Sequence, residues 1–209
     1  MPTNFPTSVD NFTNPTANDS LNLPSHSTQH SNANDAIEAV EDYLLNGAGK
    51  AGLVFIKTVT VGSGVSTVSV SDVFSSTYDN YRVVIGGVDA SSATNLRIQF
   101  GATSNEHYGS LFYDSYDASD TNYTRGANQS TFTIAICGTS DDTSSSFDVL
   151  SPNLAKRTTA SGTHNGFRYS GWLGGAVNTT TQYTSFNILV TGGATLTGGT
   201  IKVYGYRNA

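Results

Sequence analysis

A single cysteine in 209 residues excludes a disulfide framework within the chain. That residue, Cys137, lies in the apolar run TFTIAIC and reads as a small buried hydrophobe rather than a nucleophile. Basic residues are also scarce, with 10 Lys and Arg against 16 Asp and Glu for a net charge of −6. They are scattered along the chain, which argues against a phosphate backbone as partner, so no nucleic acid is expected. No apolar run approaches the ~18 residues of a membrane-spanning helix, and the first residues carry no basic stretch leading into an apolar one. The expectation is a soluble protein, made in a cytoplasm, with no membrane partner. Charged residues of all kinds make up only 12% of the chain. Ser, Thr, Asn and Gly must therefore cover much of the surface, which suits stable assemblies and sugar contacts.

Chemistry-bearing constellations are missing as well. A hydrolase needs paired carboxylates or a nucleophile beside its base. His107 and His164 instead sit in Gly- and Asn-rich turn sequence and read as surface histidines. GVDASSATN and GGATLTGG lack the lysine of a phosphate loop and the dinucleotide fingerprint. His26 and His30, spaced i and i+4, would form a metal pair only if their segment were helical, and the polar, proline-preceded surroundings speak against that. No enzyme activity, cofactor or metal is expected. The most site-like cluster is Tyr113-Asp114, Tyr116-Asp117 and Asp120-Thr121-Asn122-Tyr123, which reads either as a calcium or sugar site or as a polar loop after a strand. Asp141-Asp142, in a Ser/Thr-rich loop, is a weaker candidate.

What the chain does have is sharply divided. Residues 1–34 hold four of the five prolines and no Lys or Arg, and Pro2, Pro6, Pro15 and Pro24 favour extended or turn conformations. The widely spaced Phe5, Val9, Phe12, Leu21 and Leu23 cannot make a core. They read either as pegs of an extended anchoring arm that drop into pockets on a neighbouring subunit, or as part of an unstructured tail. From Asn34 the pattern DAIEAVEDYLLNG predicts a short amphipathic helix over 35–46, with Asn34 or Asp35 as cap and Gly47 as stop. Ala33, Ile37, Val40 and Leu44 follow a 4-3-4 spacing that lines one seam. Such a short helix is unstable alone in water. Its seam packs either on the chain's own β-domain or on symmetry mates in a short coiled coil. A Gly-rich linker, GAGKAG, fills 47–52.

Residues 53–209 alternate and turn repeatedly. LVFIKTVTV, VSTVSV, YRVVIGGV, NLRIQFGA, SLFYDSY, TFTIAIC, SFDVLS, FRYSGWL, TSFNILVT and TIKVYGYR read as strands, and TASGTHNG and TGGATLTGG among others as turns. The stretch SDVFSSTYDNY has room for one helical turn. This predicts an all-β, jelly-roll-like antiparallel β-sandwich. Gly205, in the last strand, allows close approach by a neighbour. Tyr113, Tyr116, Tyr123, Trp172 and Tyr183 are expected to be exposed and to form a possible glycan-binding face.

The segment PTSVDNFTNPTANDSLNLPSHSTQHSNANDAIEAVE, residues 6–41, resembles an N-terminal segment of tailed-bacteriophage virion proteins. VFSSTYDNYRVVI, residues 73–85, and KVYGYR, residues 202–207, resemble the β-domain in which such proteins can end. The resemblance implies a structural component on the outer surface of the virion. Its leading form is a capsid cement or decoration protein, trimeric in the manner of such assemblies, that straps the major capsid protein or another virion protein through the arm. The alternative is a receptor-binding fibre or tail module that recognises a host surface glycan. No catalytic residue is carried over.

Overall fold

The computed structural model describes residues 25–43, 52–101, 105–116 and 121–208. The chain divides into two compact units, Met1–Gly52 and Leu53–Asn208 with Ala209 grouped with the first. In the first unit, helix α1 spans His26–Asp42, capped by Ser25, whose hydroxyl accepts from the Thr28 backbone N–H at 3.3 Å. The sequence had placed the helix at 35–46 and an extended arm as far as residue 34. The start moves nine residues earlier because Ser25, directly after Pro24, supplies a cap. Residues 26–34 have no apolar period to betray the helix, so only the cap could have marked it. No residue of α1 is buried, its first turn holds no acid and its last turn no base. Among the described residues, neither a buried side chain nor a charge placed at its ends supports it. Ile37 and Val40 of the expected seam are exposed. Leu44, the linker from Gly47 to Ala51, and Phe5, Val9, Phe12, Leu21 and Leu23 lie outside the described residues.

The second unit is an antiparallel β-sandwich. Its strands are β1 (Leu53–Thr60), β2 (Ser63–Val65), β3 (Thr67–Val70), β4 (Asn80–Ala90), β5 (Thr94–Phe100), β6 (His107–Ser115), β7 (Thr121–Gln129), β8 (Phe132–Cys137), β9 (Thr143–Leu150), β10 (Thr159–Asn165), β11 (Tyr169–Val177), β12 (Phe186–Leu189), β13 (Leu196–Thr197) and β14 (Thr200–Tyr206). The larger sheet runs β1-β14-β4-β9-β10-β11-β6-β7, with the short β2 and β13 appended beside β4. The smaller runs β3-β12-β5-β8. Alternation drives both: Leu96, Ile98 and Phe100 of β5, and Phe186 and Ile188 of β12, point inward and are buried, while their neighbours are not. Residues 71–79 contain a turn and no helix.

Four strands were not expected: the long β7 and β10, and the short β2 and β13, which fall in glycine-rich sequence read as turns. Strand β10 is the segment TASGTHN, read from sequence as a turn. It lacks an apolar alternation because its inward central position is glycine, which the packing requires: a Cβ on Gly162 would lie 2.4 Å from Phe147 Cβ and 2.2 Å from the Ser146 carbonyl oxygen. The same logic seats Phe132, whose ring occupies the space that side chains at Gly109 and Gly175 would fill. Across the sandwich, Phe74 meets Tyr81 edge-on at 4.7 Å and stacks on Phe186 at 5.5 Å.

The two short β-domain segments of the phage resemblance meet in one corner. Gly205 of β14 pairs with Tyr81 of β4, and the Tyr78 ring lies over Gly205, where a Cβ would come within 2.5 Å of it. Tyr78 in turn packs edge-on against Tyr81. The buried Tyr81 hydroxyl accepts from the Ser75 N–H at 2.7 Å and donates to the Ser75 carbonyl at 2.8 Å, which ties the loop before β4 to the sheet.

Candidate functional site: an exposed aromatic strip and its cleft

The pleat of the large sheet turns Leu111 and Leu173 inward, so their neighbours Phe112 and Trp172 must face out. Register then sets Trp172 of β11 opposite Phe112 of β6, and Phe112 opposite Tyr123 of β7. The result is a row of three rings across the outer face at the β7 edge. Phe112 stacks on Trp172 at 5.9 Å between centroids with 21° between planes, and lies 6.2 Å from Tyr123. The Arg125 guanidinium sits 5.9 Å from the Tyr123 centroid. Trp172 is 60% exposed, Tyr123 61% and Phe112 41%. Large rings are ordinarily placed where they bury area, so a row of three left open marks a contact surface.

Beside Trp172 opens a cleft of about 470 Å³ lined by Tyr113, Asp114, Thr121, Thr163, Asn165 and Trp172 among others. Thr163 continues the aromatic row on β10, directly opposite Trp172. Asp114, Ser170 and Asn165 form the next row, paired in that order across β6, β11 and β10. Tyr116 reaches the same area and donates from its hydroxyl to Asn165 Oδ1 at 3.1 Å. The arrangement offers flat apolar rings next to carboxylate, amide and hydroxyl groups, the combination that holds a pyranose by its C–H face and its hydroxyl edge. Among the described residues lining the cleft, which include the buried His164, no hydrogen bond joins a nucleophile to a base.

Of the five aromatics expected on one face, Trp172 and Tyr123 stand in the strip and Tyr116 is exposed beside the cleft. Tyr113 is half-buried, packed edge-on against Tyr169 at 6.0 Å, and contributes to the cleft wall only. Tyr183 is a correction: it is buried. Gly101, with φ +70°, leaves room against its ring, where a Cβ would come within 2.9 Å. The Tyr183 backbone N–H donates to the Pro152 carbonyl, and the Tyr183 carbonyl accepts from Asn153 Nδ2. Phe112, the centre of the strip, was missed because LFY offers two possible parities. The deeply buried Leu111 decides between them.

The histidines of the β-domain also differ from expectation. His107 is fully buried, accepts the Phe100 N–H at its Nε2 at 3.0 Å and stacks on Phe100. His164 is buried too, and burial lowers its pKa to about 4. Cys137 is buried with its thiol directed at the Val88 carbonyl, and burial raises its pKa to about 11. Asp141 is buried, with Arg168 Nε at 3.7 Å, while the backbone N–H groups of Asp141 and Asp142 both donate to Asp89 Oδ1. Asp117 and Asp120 lie outside the described residues. Among the described residues, no three His, Cys, Asp or Glu side chains come together to hold a metal ion, and no helix is long and apolar enough to cross a membrane.

No family model matches the chain, and no curated protein matches it in sequence.

Proposed function

We propose that this chain is a structural protein of a tailed-bacteriophage virion, a capsid decoration protein that docks through its N-terminal unit and displays the β-sandwich outward. One observation carries the reading. The N-terminal unit holds a 17-residue helix without a single buried residue, whereas the β-domain has a complete core of its own. A helix of that length, with Ile37 and Val40 exposed, gains stability from a partner surface that covers them. The β-domain needs nothing further and is free to be displayed. The resemblance of residues 6–41, 73–85 and 202–207 to phage virion proteins supplies the setting. In this reading Phe5, Val9, Phe12, Leu21 and Leu23 strap the major capsid protein or another virion protein, and Ile37, Val40 and Leu44 gather three copies of the chain.

A second reading, a receptor-binding fibre or tail module, is favoured by the Trp172–Phe112–Tyr123 strip and its polar cleft, which suit a host surface glycan. The two readings separate in one pair of experiments on assembled particles. Replacing Phe5 and Phe12 by alanine should lower particle heat tolerance and leave β-domain unfolding unchanged if the chain is cement. Replacing Trp172 and Tyr123 by alanine should instead reduce host adsorption, with heat tolerance unchanged, if it is an adhesin.

A further inference from the structure

The condition that sequence reading set for a metal pair at His26 and His30 is met, because both residues lie in α1. Their rings approach edge-on at 4.5 Å between centroids, and the two Nε2 atoms are hydrogen-bonded at 3.1 Å, one ring donating to the other. A metal ion that displaces the shared proton finds the two nitrogens already at the bite of a chelate. At the ~2.0–2.1 Å imidazole–metal bond length, two ligands on one ion stand about 2.9 Å apart at a right angle and about 3.4 Å apart at the tetrahedral angle.

The pair is also in phase with the helix seam. His26, His30, Ala33, Ile37, Val40 and Leu44 succeed one another at spacings of 4, 3, 4, 3 and 4, the repeat of a coiled-coil core. Whatever copies gather along Ile37 and Val40 would bring their histidine pairs to the same axis. Each chain alone supplies two nitrogens, and neighbouring copies can supply the rest of a coordination sphere.

We propose that His26 and His30 form a chelating site for a divalent first-row transition metal, and that copies of the chain share one ion at the N-terminal end of the helix seam. Imidazole ligands suit Zn²⁺, Ni²⁺ and Cu²⁺. The ion would fix the first turns of α1, which hold no buried residue, and would set the register between chains. The sharing of the ion rests on the oligomer proposed above, whereas chelation by the pair does not.

The test uses the untagged full chain in a non-chelating buffer with NiCl₂ or ZnSO₄ as the only probe. The chain has four histidines, and His107 and His164 are buried in the β-domain, so background binding should be low. Binding is compared with His30→Ala and with the double variant His30→Ser/Ser31→His, which keeps two histidines but moves one off the seam. Light scattering reports the oligomeric state, and hydrogen exchange reports protection of residues 26–34. The proposal predicts at least tenfold weaker binding in both variants, fewer than one ion per chain in the oligomer, and metal-dependent protection in the native sequence only. Equal binding by the native chain and the double variant would overturn the site. One ion per chain on a monomer would overturn the sharing and the oligomer reading while leaving chelation standing. A metal-free oligomer unaffected by either ion would overturn the site and leave the oligomer intact.

Discussion

Removing one oxygen atom, by Tyr81→Phe, probes how the corner carrying the β-domain resemblance is held. The Tyr81 side chain is fully buried. Its hydroxyl satisfies both backbone groups of Ser75, accepting at 2.7 Å and donating at 2.8 Å. Phenylalanine keeps the ring, its edge-on contact with Phe74 at 4.7 Å and its packing against Tyr78. Only the polar term changes. Each intramolecular hydrogen bond contributes about 1 kcal/mol, and leaving a partner dry and unpaired costs about 1–3 kcal/mol. Ser75 itself is exposed, so water recovers part of that loss, and the substitution should cost about 1–2 kcal/mol. For a domain of this size, that corresponds to a fall in Tm of roughly 2–8 °C. Urea unfolding of Tyr81→Phe against the native chain measures it, with an unchanged m-value showing that the native and denatured states are otherwise alike. Tyr81→Leu, which also removes ring contacts, should cost more. A loss under about 0.5 kcal/mol for Tyr81→Phe would refute the reasoning, because water would then be replacing the hydroxyl fully and the corner would not be dry.

Three further outcomes follow from the β-domain. His164 is neutral in the fold until about pH 4 but takes up a proton near pH 6.5 when unfolded, so its contribution is full above pH 6.5, falls as the pH drops towards 4 and then levels. The loss is on the order of 3 kcal/mol, and His164→Phe should flatten that part of the stability profile measured by urea titration. Cys137, buried and with its pKa pushed up to about 11, should resist a thiol reagent at pH 8 in the native state and react fully in urea; rapid native labelling would contradict its placement. Gly175→Ala places a methyl group 2.6 Å from the Phe132 ring and should cost about 1–3 kcal/mol by overpacking, with Phe132→Leu in the same chain recovering part of it.

How much of this was legible in the sequence depends on where the information sits. Strand β5 announces itself, because Leu96, Ile98 and Phe100 carry the alternation within seven residues. Strand β10 does not: its inward positions are Ala160, Gly162 and His164, and Phe147 on the neighbouring strand leaves no room for a side chain at Gly162. The early start of α1 was hidden for a similar reason, since residues 26–34 bury nothing and show no apolar period. In the candidate site, Trp172 and Tyr123 were recognisable as exposed aromatics. Phe112 needed the parity fixed by Leu111, and the burial of Tyr183 depends on the missing side chain of Gly101. For Gly162 and Tyr183 the explanation lies on a distant segment of the chain, whereas for Phe112 it lies in which of two adjacent residues the packed sheet buries. Tyr78, Tyr81 and Gly205 meet in the same corner although over 120 positions separate Gly205 from the two tyrosines, and no local pattern announces that contact.

The most direct test of a virion role is copy number in gradient-purified particles, measured by quantitative mass spectrometry against the major capsid protein. The account predicts a stoichiometry near one copy per capsid subunit, or one trimer per local three-fold axis. A handful of copies would contradict shell decoration and point to the receptor-binding module, while absence from the particles would contradict the account as a whole.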